Sequence, residues 1–101
     1  MLRHIVLFKF KESADGRSKA ENVLITKNML EALPSKIALI KKSEVHICME
    51  GTNPDNADLL LISDFESKEA LNEYIVHPDH KAVGAFMRPL REGRSSIDIE
   101  I

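Results

Sequence analysis

A single cysteine, Cys48, in a chain of 101 residues excludes an internal disulfide and any metal site built on several thiolates, and it suits a reducing compartment. Tryptophan is absent, and the aromatic set is four Phe and one Tyr, so the stacking platform of single-stranded nucleic-acid binders is missing. Neither sign of charge dominates: 14 Lys and Arg against 16 Asp and Glu leave a formal −2, with no field to gather phosphate backbones. No apolar run approaches the roughly 20 residues of a membrane span. The opening Met1–Phe10 is interrupted by Arg3, His4 and Lys9 and lacks a small-residue cleavage site, so it does not read as a signal peptide. The four glycines, Gly16, Gly51, Gly84 and Gly93, are isolated, which leaves no phosphate loop and no nucleotide-cofactor signature. A soluble, cytoplasmic protein without nucleic-acid or membrane partners is expected.

What is present is the material of one domain over residues 1–101, 44% hydrophobic and 30% charged. A chain this short buries only about two-thirds of the surface of its unfolded form, so its core is thin unless a partner adds to it. Leu2–Phe10 places Leu2, Val6, Phe8 and Phe10 on one face of a strand and Ile5 and Leu7 on the other, the pattern of a strand covered on both sides. After a turn at Asp15-Gly16, residues 17–33 read as an amphipathic helix with Ala20, Val23, Leu24, Ile25, Met29, Leu30 and Leu33 on its stripe, stopped by Pro34.

A second strand is expected over 37–50, a turn-rich loop over 51–56 and a central strand over 57–65 containing Leu59-Leu60-Leu61-Ile62. Ser67 is suited to cap a helix through Val76, and Pro78 to start a further turn through Met87. The last strand, 95–101, alternates Ile97, Ile99 and Ile101 against Ser96, Asp98 and Glu100. The order β-α-β-β-α-β is that of a ferredoxin-like α+β fold with both helices on one face of an antiparallel sheet. The uncovered face carries enough apolar side chains that sheet-to-sheet homodimerisation is expected.

Three segments carry a family resemblance: His4-Ile5-Val6-Leu7-Phe8-Lys9-Phe10-Lys11, Asp64-Phe65-Glu66-Ser67-Lys68-Glu69-Ala70-Leu71, and Tyr74-Ile75-Val76-His77-Pro78-Asp79-His80. Together they resemble the stress-responsive α/β-barrel domain family over nearly the whole chain. The resemblance implies a ferredoxin-like protomer paired into a dimeric α+β barrel. It also points to a plant branch of polyketide cyclases that use a His and a Tyr as acid/base groups, matched here by His80 and Tyr74.

On the residues themselves, His80 is the first candidate for proton transfer, because imidazole titrates near pH ~6.5. Tyr74 is the candidate to orient a carbonyl; alternatively its ring packs in the core and His80 satisfies a backbone group. His4 lies on the apolar face of the first strand, either lining the same pocket or as a hydrogen-bonded core residue. Leu59 stands where the cyclase branch has a further His, a departure from that chemistry, and with Phe86 it is expected to line a pocket for an apolar or carbonyl-containing ligand inside the barrel.

His77, Asp79 and His80 are suitable metal ligands by type, but Pro78 breaks the helix between them and no metal is expected. No cofactor is expected either. His46 falls on the polar side of its strand, and Cys48 reads as a small filler with no cationic cluster beside it. Arg88, Arg91 and Arg94 precede the last strand and read as a hydrated loop, with anion capture at a cavity mouth as the alternative. The functional expectation is a homodimeric small barrel that binds a small apolar or carbonyl-containing ligand, with His80 as acid/base. Its alternatives are a non-catalytic stress-associated dimer, a polyketide cyclase-like enzyme and, by fold alone, a cofactor-independent monooxygenase.

Overall fold

The computed structural model describes residues Met1–Ile101. Its elements are β1 (Leu2–Phe10), a short pair β2 (Ser13–Ala14) and β3 (Arg17–Ser18), α1 (Lys19–Lys36), β4 (Lys42–Ile47), β5 (Leu59–Phe65), α2 (Lys68–Val76), α3 (Pro78–Met87) and β6 (Arg91–Glu100). One antiparallel sheet runs in the order β4-β5-β1-β6. With the small β2–β3 hairpin set aside and α2 and α3 counted as one interrupted helical segment, this is the ferredoxin-like β-α-β-β-α-β order.

The hairpin turn is Asp15-Gly16, both at positive φ (51° and 75°), the backbone that a two-residue turn needs to follow the twist of its strands. Ser18 then caps α1: its hydroxyl accepts from the Glu21 N–H while the Glu21 carboxylate accepts from the Ser18 N–H. The bond to Ser18 holds the Glu21 carboxyl below its usual range.

Four boundaries differ from the sequence expectation. Pro34 does not stop α1 but sits inside its last turn, which is held by burial of Leu33 and Ile37 and by the Ile37 N–H donating to the Leu33 carbonyl. Ile37 and Ile40 are both buried three residues apart, a turn spacing rather than a strand alternation, so β4 starts only at Lys42. Strand β5 begins at Leu59 and β6 begins at Arg91, four residues before the expected start. On α1, Leu24 is 53% exposed, and the buried stripe instead runs through Asn22, Val23, Thr26, Leu30 and Leu33. Asn22 and Thr26 lie inside because their polar atoms are satisfied: Asn22 accepts from Arg17 and donates to the Ala14 carbonyl, and Thr26 donates to the Asn22 carbonyl.

The core lies between the helices and the face of the sheet carrying Val6, Phe8, Phe10, Val45, Leu59, Leu61 and Phe65. The opposite face is bare, with Leu7 42% and Ile97 59% exposed. Register aligns Ile5 with both Ile62 and Ile97, and Leu7 with Leu60, so these side chains form one apolar field across three strands. At its margin Arg3 donates two hydrogen bonds to Asp64, at 2.8 and 3.0 Å. That pairing holds the Asp64 carboxyl below the usual carboxylate range. The chain ends meet beside this sheet: the Ile101 N–H donates to the Met1 carbonyl at 2.9 Å and the Met1 ammonium donates to the Ile101 carbonyl at 3.2 Å. No helix is long and apolar enough to cross a membrane.

Candidate functional site

The candidate site is a partly enclosed cavity of about 150 Å³ between the sheet and the helices of one chain. The cavity lies on the helix-covered face of the sheet and is lined by residues of this one chain. From β1 it receives His4, Val6 and Phe8, from β5 Leu61, from α1 Leu30 and from α2 Tyr74. Helix α3 contributes His80, Val83, Gly84 and Met87, spaced three and four apart on one face.

Local sequence explains how Tyr74 and His80 meet. Ser67 caps α2 by accepting from the Ala70 N–H at 3.1 Å, which starts the helix that buries Tyr74. Pro78 ends α2 at His77 and opens α3 at its first position, and the His77 Nδ1 accepts from the Asp79 N–H at 3.1 Å as the cap. The break turns the chain so that the Tyr74 and His80 rings meet in a tilted contact, with centroids 4.4 Å apart and planes at 50°. His77 and Asp79 are thus used at the helix start, and no group of three metal-ligating side chains comes together in the molecule.

The His80 Nδ1 lies 3.0 Å from the Ile75 carbonyl oxygen, an atom that only accepts, so Nδ1 carries a proton and donates. In the neutral ring this leaves the Nε2 lone pair unprotonated. Burial pulls the His80 pKa below its ordinary 6.5; the bond to Ile75 opposes this, and His4, Arg94 and His77 reinforce it. Neutral imidazole is therefore the prevailing form at neutral pH.

Tyr74 is 1% exposed, and burial pushes its phenol up to about 12, against a smaller downward pull from Arg94. Every fully buried side-chain nitrogen and oxygen has a hydrogen-bond partner. The Tyr74 hydroxyl has no protein partner, so it is an atom that keeps access to the cavity. His4 is buried and its Nδ1 lies 2.5 Å from an Asp98 carboxylate oxygen, which sets the orientation of the ring across the β1–β6 pair.

Arg88, Arg91 and Arg94 also line the cavity. The loop part of that reading is corrected, since Arg91 and Arg94 belong to strand β6 and Arg88 closes α3, while Arg88 and Arg94 are exposed to water as expected. None of the three is in an ion pair, while the polar side chains lining the cavity include no carboxylate, serine or cysteine. The site combines a neutral base, a protonated phenol and fixed positive charge over an apolar floor, which suits proton transfer at a polarised carbon acid.

Two expected residues lie outside. Leu59 is on the same face as Leu61 but two residues earlier, paired with Phe8 and Ile47, where it is 1% exposed in the core. It borders instead an open hollow of about 340 Å³ with Leu7, His46 and Cys48. Phe86 falls off the cavity side of α3, two residues past Gly84, and carries the Arg17 guanidinium 5.5 Å over its ring. Leu61, Val83 and Met87 are the lining residues that sequence patterning passed over; the parity of Leu61 with Leu59, and the helical spacing of Val83 and Met87 from His80, were the available signals.

Residues 2–101 match the family model described as the stress-responsive A/B barrel domain. The chain is similar to a stress-response A/B barrel domain-containing protein of Arabidopsis thaliana, 36% identical over 97% of this chain and 36% of that protein. It is also similar to a second protein of that description from the same plant, DABB1, 31% identical over 97% of this chain and 46% of that one. The chain therefore spans less than half the length of the curated relatives it matches. Among solved structures, it resembles a dimeric protein of unknown function with a ferredoxin-like fold from Bacteroides fragilis, with TM-score 0.87, 32% identity, and coverage of 99% of this chain and 95% of that one.

Proposed function

The chain belongs to the stress-responsive A/B barrel domain family, and from that premise we propose that it is a homodimer binding a small carbonyl compound in the helix-covered cavity, with His80 transferring a proton. The observation that carries this reading is the convergence of His80, Tyr74 and His4 on one partly enclosed space. His80 Nε2 takes a proton from the carbon beside the carbonyl and returns it. The Tyr74 phenol, which stays protonated at neutral pH, donates to the oxygen on which charge develops. His4, held by Asp98, closes the strand side of the pocket.

Self-association is supported by the bare apolar field around Ile5, Leu7 and Ile97, and by the dimeric description of the Bacteroides relative. The reading includes one domain over residues 1–101, working in the cytoplasm without cofactor and apart from nucleic acid and membranes.

Deuterium exchange at the α-carbon of small ketones, followed by proton NMR, tests it. The wild-type chain accelerates exchange and His80→Gln loses roughly 100-fold or more of that acceleration. Equal rates for the two proteins would sink the proton-transfer role. A second reading, a non-catalytic stress-associated dimer, is favoured by the cavity volume of about 150 Å³, below the roughly 300 Å³ at which ordinary ligand pockets begin. The same volume disfavours polyketide cyclisation, whose extended substrate needs more room, and cofactor-independent monooxygenation rests on fold alone.

A further inference from the structure

Strand alternation would send Arg91 and Arg94, three residues apart, to opposite faces of the sheet. They share one face because the β1–β6 register slips between Lys9 and Phe10: Lys9 aligns with Gly93, but Phe10 aligns with Arg91, leaving Glu92 as an extra residue. Such a bulge re-aims the side chains beside it. Arg94 therefore lies opposite Phe8 and Arg91 opposite Phe10, both on the cavity side, and Arg88 joins them from the end of α3. The only polar contact of Arg94 is a long one, 3.4 Å to the Ser96 hydroxyl. The three arginines line the cavity without an acidic partner, Arg88 and Arg94 with exposed side chains, and Tyr74 from α2 and His80 from α3 line the same space.

We infer that this cavity selects a compact oxo acid, its carboxylate received by Arg91 and Arg94 and its ketone directed between Tyr74 and His80. The inference rests on the proton-transfer reading for its chemistry but adds the ligand class. At about 30 Å³ per water-sized group, the space holds roughly five such groups, which suits a short oxo acid and not a long chain. Fixed positive charge has a chemical purpose here. Removing a proton beside the ketone places a second negative charge near the carboxylate, and the arginines offset that repulsion at short range. The proton moves from C3 of the ligand to His80 Nε2, and the C–H electron pair becomes the C2–C3 double bond of an enolate whose oxygen accepts from the Tyr74 hydroxyl. Return of the proton to carbon or oxygen completes a tautomerisation in which nothing is oxidised or reduced.

The test uses the full chain with 2-oxobutanoate and its methyl ester as probes, binding read by ligand-observed NMR and exchange read at C3. The acid binds in the millimolar range, the ester at least about tenfold more weakly, and Arg91→Gln with Arg94→Gln removes that preference. Arg91→Lys with Arg94→Lys keeps part of it, which separates lost charge from lost folding. Equal binding of acid and ester, unchanged acid binding by the double Gln variant, or no acid binding at about 10 mM each overturns the inference. Arginine-dependent binding without His80-dependent exchange upholds the ligand class and removes only the proton-transfer step. His80-dependent exchange of the ester at the rate of the acid overturns the ligand class and leaves that step standing.

Discussion

The two faces of the central strand β1 differ in what covers them: one packs against the helices and the other stands bare. Its helix-covered face places His4 with Val6 and Phe8 and opens on three arginines, while its bare face displays Ile5 and Leu7. A buried imidazole beside the core and apolar groups left at the surface are both costly for a lone domain. On the covered face the proposed partner is a ligand of polar chemistry. On the bare face it is the proposed second apolar surface, with the Arg3–Asp64 pair as a polar margin.

The strongest way to break this contrast is to make the bare face polar. Ile5→Glu combined with Ile97→Glu places two unpaired carboxylates in the apolar field, and sedimentation is expected to show the dimer weakened by about 1000-fold or more. A pair that still sediments as a dimer would show that this face is not the interface. On the covered face, Tyr74→Phe removes a hydroxyl that bonds to no protein group, so stability stays within about 0.5 kcal/mol while α-proton exchange falls about 100-fold. Unfolding curves and exchange rates taken together separate this from a packing role, which would move stability first.

A smaller effect is read through pH. Because the His80 pKa lies below its ordinary 6.5, the base is more than half neutral at that pH, and the acid limb of the exchange rate has its midpoint below 6.5. The same depression means that His80 contributes stability above pH 6.5 that is lost as pH falls through its folded-state value. An acid limb with its midpoint above pH 6.5 would assign the proton transfer elsewhere. The smallest change is expected from Arg3→Met at the margin of the bare face. Asp64, held below its ordinary 3.8, contributes stability that is present above that value and lost below it, so the melting-temperature deficit of the variant is seen at about pH 7 and shrinks as Asp64 protonates. A deficit independent of pH would mean that the methylene packing of Arg3, and not its charge, is what matters.

Local chemistry was legible in the sequence where one or two residues decide the outcome. Ser67 and Pro78 announce their caps, and the alternation of Ile97 and Ile99 announces the exposed face of β6. What escaped depends on partners distant in the chain. Pro34 is tolerated because Ile37 is buried by tertiary packing, and the start of β6 at Arg91 depends on pairing with Phe10. The arginine cluster follows from a one-residue slip between β1 and β6 that no periodicity within β6 reveals. His80 and Tyr74 could be singled out by residue type, but their 4.4 Å approach depends on the angle between two helices.

The contact between Met1 and Ile101 has a consequence for how the unit can be carried. With both ends at one corner of the sheet, a short flexible tether from residue 101 to residue 1 would close the chain into a ring. New ends opened in the exposed turn around Thr52 and Asn53 would leave β1, β6 and the cavity between them intact. The same neighbourhood of ends lets the unit be spliced between segments of a longer polypeptide with little disturbance to either flank, as a bead threaded through adjacent holes.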